Sequence, residues 1–439
     1  MTRTLTATLP GPVRPEGAPP ALVVLAGPPG VAGDRVVPLG LAPCVLGREP
    51  DVDDGAALEV ADARVSRRHA SVGLDPDHPG WVVLHDLGSK NGTFVDGRPA
   101  ARALLAGGEV VRVGETLLLV TRDRAATSGA GSPLLGRSSA LEAVRGAIEA
   151  AAACPLPVLV LGETGVGKEV VAREVHARSG RPGPFRAVNC AAIPRDLAES
   201  TLFGHRKGAF TGATDASSGL VRAAHRGTLL LDEVGELDPA LQAKLLRVLE
   251  EGTVLPVGAV DPVAVDVRFV AATNRDLFEA AQADGFRDDL LARLAGQVVR
   301  VPPLRERRDD VAPLLAAFLG VDVAALGARV EADALEALLL YDWPRNVREL
   351  EVFARRVASR PGRLSPGDLE PQVRAALEAA RAEPLLDATC QTRGSAPSKA
   401  ELEAALHECG DNLAEVARRF GRDRRQIYRW LERHGLARP

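Results

Sequence analysis

The chain has 439 residues, of which 46% are hydrophobic and 3% aromatic, and its formal net charge is −4. This length predicts about three domains of ordinary globular composition, at roughly 150 residues per domain. The near-balanced charge excludes a chain that is a polycation throughout, so any affinity for nucleic acid must be local. The few aromatic side chains argue against a base-stacking platform.

The five cysteines are spread along the chain without any C-x-x-C spacing. This pattern argues against a disulfide scaffold and a zinc site, and it fits a reducing compartment. The N-terminus has no apolar signal core, and no run of about 18 apolar residues occurs in the sequence. We therefore expect a cytoplasmic protein that has no membrane partner.

The first part of the chain predicts a flexible tail followed by a β-sandwich. Residues 1–20 are rich in Thr, Pro and Gly and lack periodicity, which is typical of a flexible segment. From 21 to 121, apolar runs such as ALVVL, WVVLHDL and LLLVT alternate with turn sequences such as VDGRP. This alternation predicts an all-β domain. Residues 122–132 have the composition of a linker.

Three short motifs of this all-β domain suit a phosphate. The sequences GR, SRRH and DLGSKNGT bring cationic and hydrogen-bonding groups to strand ends and loops, which is the chemistry of charge-assisted phosphate binding. The domain resembles a forkhead-associated (FHA) domain. The resemblance implies that phosphothreonine is bound here, with Arg48 and Ser66 at its phosphate and Asn91 at the ligand backbone. The remaining candidates in this pocket are Arg67 and Lys90.

By the same resemblance, Gly47, His69 and Gly92 are expected to be structural. The sequence shows no receiver domain with an acidic pocket, so the expected input is a Ser/Thr kinase. One hypothesis is that a kinase phosphorylates threonines of the tail and that the FHA domain binds them, in cis or across subunits. Chance is the alternative explanation for their presence, and an FHA fold kept only for docking is an alternative to phosphothreonine binding. The threonines concerned are Thr2, Thr4, Thr6 and Thr8.

Residues 133–371 alternate between buried-strand and helical patterns, which predicts a parallel α/β domain. The run PVLVL leads directly into GETGVGKE, which has the G-x-x-x-x-G-K spacing of a P-loop for ATP. Lys168 would add charge for the β- and γ-phosphates. Asp232 and Glu233 follow a second strand, where they suit a Mg²⁺ ligand and an activator of the attacking water. The candidate nucleotide-binding residues of the loop are Gly162, Glu163, Thr164, Gly165, Val166, Gly167, Lys168 and Glu169.

This region resembles the AAA+ ATPase domain, with its α-helical lid, of the bacterial sigma-54 activators, also called enhancer-binding proteins. In that family a glutamate commonly follows the P-loop lysine, so Glu169 fits ATP binding. The resemblance implies that Asn189 hydrogen-bonds and restrains Glu233. It also implies that the motif AATN senses the nucleotide through Thr273 and Asn274.

Two more motifs extend the resemblance. GFRDDLLARL implies that Arg287 and Arg293 act as arginine fingers in the neighbouring subunit's site, and therefore that the chain forms a homo-oligomeric ring, a hexamer by the family pattern. WPRNVREL implies that Arg348 senses the nucleotide. Arg345 stands where the family has Gly, which could change the turn before the helix while leaving Arg348 in place.

The string GAFTGA is the most specific motif of the sequence. On composition alone it is a surface turn with one aromatic and one hydroxyl side chain. In the resembled family it is the loop that contacts sigma-54 RNA polymerase and moves with the hydrolysis cycle. The candidate contact residues are Gly208, Ala209, Phe210, Thr211, Gly212 and Ala213.

Residues 372–397 are helix-like at first and then become a second linker, and 398–439 predict an all-α helix-turn-helix. Two short amphipathic helices are joined there by a glycine turn. From 418 to 439 the chain has eight arginines and two acidic residues, which suits double-stranded DNA. A solvated basic helix is the alternative. A resemblance to the Fis-type helix-turn-helix implies a dimer on an upstream enhancer site. The DNA-binding candidates are Arg422, Arg424, Arg425, Gln426 and Arg429.

Together these motifs predict a sigma-54-dependent activator that hydrolyses ATP, binds DNA and is regulated through phosphothreonine. Two other functions remain open. One is a DNA-binding repressor with an inactive ATPase, which the complete set of catalytic candidates argues against. The other is an FHA-led scaffold in kinase signalling, which leaves GAFTGA and the helix-turn-helix unexplained.

Overall fold

The computed structural model describes residues 20–28, 31, 33, 35–50, 56–76, 78, 80–122, 133–210, 214–283, 285–360, 362–382, 399–408 and 416. The chain divides into two compact units, residues 1–386 and 387–439. The first unit contains a β-sandwich, an α/β domain and a helical lid.

The N-terminal domain is the β-sandwich that the sequence predicts. Its strands are β1 (Ala21–Ala26), β2 (Val36–Pro38), β3 (Cys44–Gly47), β4 (Ala57–Glu59), β5 (Ala70–Leu74), β6 (Val82–Asp86), β7 (Thr93–Val95), β8 (Arg98–Pro99), β9 (Arg102–Leu105), β10 (Val110–Val113) and β11 (Thr116–Thr121). One sheet has the order β2-β1-β11-β10-β7-β8 and the other has the order β4-β3-β5-β6-β9. Apolar side chains from both sheets fill the space between them. The runs ALVVL, WVVLHDL and LLLVT lie in strands, so these predictions are confirmed.

The α/β domain follows. Its elements are α1 (Ser139–Ala153), β12 (Val158–Leu161), α2 (Lys168–Arg178), β13 (Phe185–Asn189), α3 (Arg195–Phe203), α4 (Gly219–Ala223), β14 (Thr228–Asp232), α5 (Pro239–Glu251), β15 (Thr253–Val254), β16 (Val263–Ala264), β17 (Arg268–Thr273), α6 (Leu277–Gln282), α7 (Asp288–Leu294) and β18 (Gln297–Arg300). The five-stranded sheet has the order β13-β14-β17-β12-β18, and its neighbouring strands are parallel.

The central strands of this sheet are buried on both faces. Each of the four residues of β12, Val-Leu-Val-Leu, is buried, as are the six residues of β17. Continuous apolar runs of this kind are typical of parallel strands that are covered by helices on both sides. Because the carboxyl ends of parallel strands meet at one edge, the segments after β12, β14 and β17 are brought together there.

The lid is helical and larger than the sequence boundary suggests. Its helices are α8 (Val311–Leu319), α9 (Leu326–Arg329), α10 (Ala332–Leu340), α11 (Asn346–Ala358) and α12 (Pro371–Ala382). The start of the predicted linker at 372 is therefore wrong, because α12 buries Val373 and Leu377 in the lid core. The helix-like start of this segment is recognised in the sequence, but its narrow apolar stripe does not show that it packs against the lid.

In the second unit the structure describes α13 (Lys399–Glu408). Within the described ranges, no single helix has both the length and the apolar composition needed to cross a bilayer. One pair of segments, Arg308–Leu319 and Val323–Arg329, meets the criteria together but is bent by 88° at the break between them.

Candidate functional site

The P-loop connects β12 to α2 and holds its lysine at the start of a helix. Gly165 has φ +82°, and a Cβ there would lie 2.2 Å from the carbonyl oxygen of Arg345. Only glycine fits both the conformation and the space. Lys168 is 7% exposed, and its Nζ donates to the carbonyl oxygen of Gly162 at 2.9 Å. A lysine and free N–H groups at a helix N-terminus form a site for phosphates.

The acidic pair lies opposite the lysine at the end of β14. Glu233 has a left-handed φ of +51°, which turns its carboxylate away from the direction of the strand. One of its oxygens lies 3.4 Å from Lys168 Nζ, and the other accepts from the backbone N–H of Asn274 at 3.3 Å. The side-chain amide of Asn274 donates to Thr164 Oγ1 at 3.2 Å. Asn274 therefore joins the P-loop to the catalytic candidate Glu233.

Asn189 has a different partner from the one that the resemblance implies. Its Nδ2 lies 3.4 Å from Asp232 Oδ2, and its Oδ1 accepts from the backbone N–H of Ala191. The reason is strand register, because β13 and β14 pair with Asn189 opposite Asp232. Glu233 is one residue beyond that pair and turns toward Lys168. The expected contact of Asn189 with Glu233 is therefore wrong for this conformation.

The electrostatics of this edge favour a cation. Burial raises the pKa of Asp232, and the charge of Glu233 raises it further, although Lys168 works against the shift. Burial beside the same two carboxylates raises the pKa of the Cys190 thiol to about 12. The described residues contain no cluster of three or more His, Cys, Asp or Glu side chains that could hold a metal alone. The carboxylate of Asp232, at the end of β14, is of the kind that proteins use to bind Mg²⁺, commonly one or two carboxylates together with substrate phosphates.

The lid is hydrogen-bonded to the P-loop through lid residues that the sequence analysis did not select. Glu163 accepts two hydrogen bonds from Arg305, at 2.9 and 2.6 Å. Asn346, which is fully buried, donates to Glu163 Oε2 and to the carbonyl oxygen of Thr164, both at 3.1 Å. Arg307 donates to the carbonyl oxygen of Val166 at 3.0 Å. The available signal was the LRERR sequence that follows β18, because each of its arginines is a potential partner for loop carbonyls and carboxylates.

The unusual Arg345 does not disturb the turn before α11. Its φ is −108°, which any L-residue adopts. The left-handed residues of this turn are Trp343 and Asn346, with φ of +51° and +53°. Arg348 remains beside the P-loop, where its backbone N–H donates to the carbonyl oxygen of Gly165 at 3.3 Å.

The GAFTGA loop connects α3 to α4 and is closed at its base. His205 pairs with Ser217 in an antiparallel bridge and with Val257 in a parallel one. The Phe210 ring is 39% exposed and lies 5.0 Å from the His205 ring, centroid to centroid. A second loop, between β15 and β16, supports the first and exposes Val260. The tip residues Thr211, Gly212 and Ala213 lie outside the described residues.

The FHA candidates converge on an open cleft of about 720 Å³. The side chains that line it are Arg48, Glu49, Ala63, Arg64, Val65, Ser66, Arg67, Arg68, Lys90 and Asn91. The backbone N–H of Lys90 donates to Ser66 Oγ at 3.1 Å, which leaves the hydroxyl hydrogen able to donate. Asn91 Nδ2 donates to the carbonyl oxygen of Arg64 at 2.7 Å, so this amide holds the cleft's own loop.

The three residues expected to be structural do shape the cleft. A Cβ on Gly47 would lie 1.9 Å from the carbonyl oxygen of Arg67, so the backbones approach as only glycine allows. His69 is fully buried, and its two ring nitrogens contact the backbone N–H of Ser66 and the carbonyl oxygen of Gly92, each at 3.1 Å.

Asp86, which was not selected from the sequence, organises the second cleft loop. It accepts hydrogen bonds from the hydroxyls of Ser89 and Thr93 at 2.6 Å and from the backbone N–H groups of Gly88 and Ser89. Burial works to raise the pKa of Asp86, but these hydrogen bonds outweigh it and hold the pKa below its ordinary value. The signal was the Asp-Leu-Gly-Ser sequence, because Asp side chains commonly cap such turns.

Family models match four consecutive parts of the chain: a sigma-54 interaction domain at 134–300, an FHA domain at 44–114, an AAA+ ATPase lid domain at 305–384 and a homeodomain-like domain at 399–438. The crystal structure of NtrX from Brucella abortus in complex with ATP is 30% identical, covers 69% of each chain and has a TM-score of 0.50. The chain belongs to the sigma-54 activators.

Among other relatives in this family, the nitric oxide reductase regulator NorR2 of Cupriavidus necator is 42% identical over 330 residues, which are 70% of this chain and 63% of that protein. The regulator NtrC of Azospirillum brasilense is 48% identical over 231 residues, 52% of this chain and 48% of that protein. The chain thus spans less than two thirds of the length of these curated relatives. It carries the AAA+ ATPase domain of the sigma-54 activators, with an FHA domain before it.

The arginine-finger candidates of this AAA+ domain are exposed. Arg287, the N-cap of α7, pairs with Asp289 at 2.7 Å. Arg293 pairs with Glu250 at 3.3 Å. Both side chains are thus accessible to another subunit. The DNA-binding candidates Arg422, Arg424, Arg425, Gln426 and Arg429 lie outside the described residues.

Proposed function

We propose that this chain is an ATP-driven activator of sigma-54 RNA polymerase that is controlled through its FHA domain. ATP hydrolysis at the edge of the parallel sheet would move the GAFTGA loop, and the loop would act on sigma-54 to promote melting of the promoter. The proposal places the protein in the cytoplasm, where its polymerase and DNA partners are found.

The observation that carries this proposal is the arrangement of Lys168, Asp232, Glu233 and Asn274 at one sheet edge. A retained but inactive ATPase has no need for a lysine that contacts a glutamate, an asparagine that joins this glutamate to the P-loop, and a second acidic residue at the end of the same strand. Charged groups rarely stay buried without partners or a function.

The residues of this edge have separable roles in hydrolysis. Bound ATP with Mg²⁺ supplies the phosphoryl group and the positive charge that balances it. Asp232 would hold the metal ion, while Lys168 and the loop N–H groups bind phosphates. In the structure Lys168 contacts Glu233, so phosphates would compete for the lysine and release Glu233 to orient the attacking water. Asn274 would keep Glu233 in place through the backbone contact.

A ring of subunits completes the proposed site. Arg287 and Arg293 would leave Asp289 and Glu250 and add positive charge to the neighbouring subunit's transition state. Arg348 and the lid contacts to Glu163 would report nucleotide binding to the lid.

The input and the DNA site lie at the two ends of the chain. The exposed basic cleft of Arg48, Ser66, Arg67 and Lys90 would bind phosphothreonine on a partner protein phosphorylated by a Ser/Thr kinase, or on the chain's own tail. The homeodomain-like segment would bind an upstream double-stranded DNA site as a dimer or larger oligomer. Deletion of residues 1–20 separates the two phosphothreonine sources, because an unchanged response to the kinase would exclude the tail.

The test is promoter melting by purified sigma-54 polymerase with this protein and ATP, followed alongside phosphate release. We expect wild type to melt the promoter and hydrolyse ATP, Glu233→Ala to do neither, and Thr211→Ala to hydrolyse ATP without melting. Hydrolysis without melting by wild type, even with its partner phosphopeptide, would overturn the activator and favour the scaffold. DNA binding without hydrolysis would favour the repressor.

A further inference from the structure

Strands β1 and β11 of the six-stranded sheet of the FHA domain are apolar on both faces, so the outer face of the sheet must be covered there. In β1, Leu22 and Val24 face the sandwich core, whereas Val23 and Leu25 belong to the core of the lid. Sandwich sheets that face water alternate between apolar and polar residues. Here the outer face is as buried as the inner one, since Val23 and Leu25 are 2% and 0% exposed.

The neighbouring strands repeat this arrangement. In β11, Leu118 and Val120 face the sandwich core, while Leu117 and Leu119 lie in the lid core. The backbones also approach closely, because a Cβ on Gly327 of α9 would lie 2.0 Å from the carbonyl oxygen of Gly27. The outer face of this sheet and the lid helices therefore form one continuous apolar core.

A charged cluster joins the two domains at the centre of β10. Arg112 lies on the outer face and contacts two carboxylates of α10, with Asp333 at 2.7 Å and Glu336 at 3.4 Å. Glu336 is fully buried, and Arg381 of α12 also contacts it, at 3.1 Å. Separating the domains would remove one of the two arginines that compensate the charge of the buried Glu336, which makes separation costly.

On the lid side, hydrogen bonds connect α10 to the P-loop through the turn before α11. The indole Nε1 of Trp343 donates to the carbonyl oxygen of Leu338 at 2.9 Å, so α10 is tied to the turn before α11. That turn contains Asn346, which contacts Glu163 and Thr164 of the P-loop. The helix that the FHA domain contacts and the residues that grip the P-loop thus belong to one packed body.

We infer that the outer face of the FHA sheet is a permanent docking surface for the ATPase lid, locked by Arg112, so that the FHA domain and the lid move as one body throughout ATP hydrolysis. The inference does not depend on phosphothreonine binding or on sigma-54. It makes the FHA domain a structural part of the lid rather than a module on a free tether.

The experiment labels the docked face in the full-length chain. Ala337 lies on α10 one turn after Asp333, on the same helix face, and is 1% exposed. We would introduce Ala337→Cys and measure its alkylation rate by peptide mass spectrometry, with and without ATP turnover. Arg355→Cys on the exposed side of α11 serves as the accessible reference. The native Cys190, which is buried in the ATPase core, reports global unfolding.

We expect the cysteine at 337 to stay at least tenfold slower than the exposed reference, both at rest and during turnover. Adding Arg112→Glu should raise its rate at least tenfold, whereas Arg112→Lys, which keeps a positive charge opposite Asp333 and Glu336, should leave most of the protection in place. Arg102→Glu on the opposite sheet is the matched control and should change nothing. If the cysteine at 337 is labelled faster during turnover in the protein that keeps Arg112, the inference is overturned. Slow labelling of the Arg112→Glu variant would also overturn it.

If Arg112→Glu also exposes Cys190, that variant has unfolded, and Arg112→Ala and the turnover measurement decide. Arg112→Ala removes the positive charge without placing a like charge beside Asp333 and Glu336. Faster labelling at position 337 with Cys190 still protected supports the contact, and unchanged labelling contradicts it.

Discussion

The nucleotide edge and the FHA cleft are the two sites that we propose to bind phosphate, and their charged groups differ in exposure and pairing. At the nucleotide edge, Lys168 is buried and already contacts Glu233. In the cleft, Arg67 and Lys90 are exposed, and neither has an ion pair within the part of the chain that the structure describes. The first site must break internal contacts when it binds, whereas the second is open to a ligand that brings its own negative charge.

This difference has a physical consequence for each site. Charges that are buried together are hardly screened by salt, and their rearrangement can be coupled to a mechanical step. Exposed charges attract a phosphopeptide quickly, but their contribution falls as ionic strength rises. Salt should therefore weaken phosphopeptide binding much more than it weakens ATP binding.

The largest expected effect is on ATP hydrolysis, from a substitution at the nucleotide edge. Glu233→Gln should lower ATP hydrolysis by about 10³-fold, since a positioned base contributes roughly 10²- to 10⁴-fold. ATP binding should be kept or become tighter, because Lys168 is released from its carboxylate partner. Steady-state hydrolysis and nucleotide titration measure the two effects. Glu236→Gln, whose carboxylate pairs with Arg275 nearby, is the control and should retain hydrolysis. A Glu233→Gln protein with ordinary turnover would contradict the assigned role.

In the open cleft, Arg48→Ala should weaken binding of a phosphothreonine peptide by about 10- to 100-fold. A hydrogen bond to a charged group contributes about 1.5–3 kcal/mol, which corresponds to that range. Fluorescence anisotropy at low and high salt measures the effect, and the wild-type affinity should fall with salt. Arg102→Ala, on a strand of the same domain away from the cleft, is the control. Equal affinity of Arg48→Ala and wild type would show that the cleft does not hold the phosphate.

The grip of the lid on the P-loop should have a smaller effect. Arg305→Met removes two hydrogen bonds to Glu163 from a partly exposed pair. Exposed pairs contribute up to about 1 kcal/mol, and a bidentate geometry places this one at the upper end. We expect the KM for ATP to rise about three- to tenfold.

Arg173→Met is the matched control for the lid contact. It also removes a two-bond contact to a glutamate of the P-loop region, Glu169, but on the exposed side of α2. The two variants should differ in KM. If they behave alike, the lid contact contributes nothing beyond a surface ion pair.

The smallest effect concerns pH and the loop of the FHA cleft. Because the pKa of Asp86 is lowered in the fold, its contribution to stability is present above the ordinary Asp value of about 3.9 and is lost as pH falls through the lowered pKa. The unfolding temperature of the transition that includes the FHA domain should therefore decrease when the pH is lowered below about 4. Asp86→Asn should be less stable at pH 7 and lose less on acidification, as calorimetry can measure. Glu59→Gln, an exposed change on β4, should follow wild type.

Much of this architecture follows from local sequence patterns. The P-loop spacing, the apolar strands and the Asp-Gly turn between β7 and β8 depend on neighbouring residues, so the sequence alone predicts them. The partner of Asn189 depends instead on how β13 and β14 pair. Their register places Asn189 opposite Asp232, which is 43 residues later in the chain. That register cannot be read from either strand separately.

The outer face of the FHA sheet was a signal that the sequence analysis did not use. The runs ALVVLA and TLLLVT are continuous rather than alternating, which indicates burial on both faces. The sequence does not identify the covering surface, however, because α12 was assigned mainly to a linker. Only the structure shows that Arg112 meets Asp333 and Glu336 there.

We propose that hydrolysis at the Lys168–Glu233 edge drives the action on sigma-54 RNA polymerase. The most direct measurement is permanganate footprinting of a sigma-54 promoter with wild-type protein, comparing ATP with a non-hydrolysable analogue at saturating concentrations. We expect melted DNA with ATP and closed DNA with the analogue. Equal melting with both nucleotides, or hydrolysis of ATP with no melting, would contradict it.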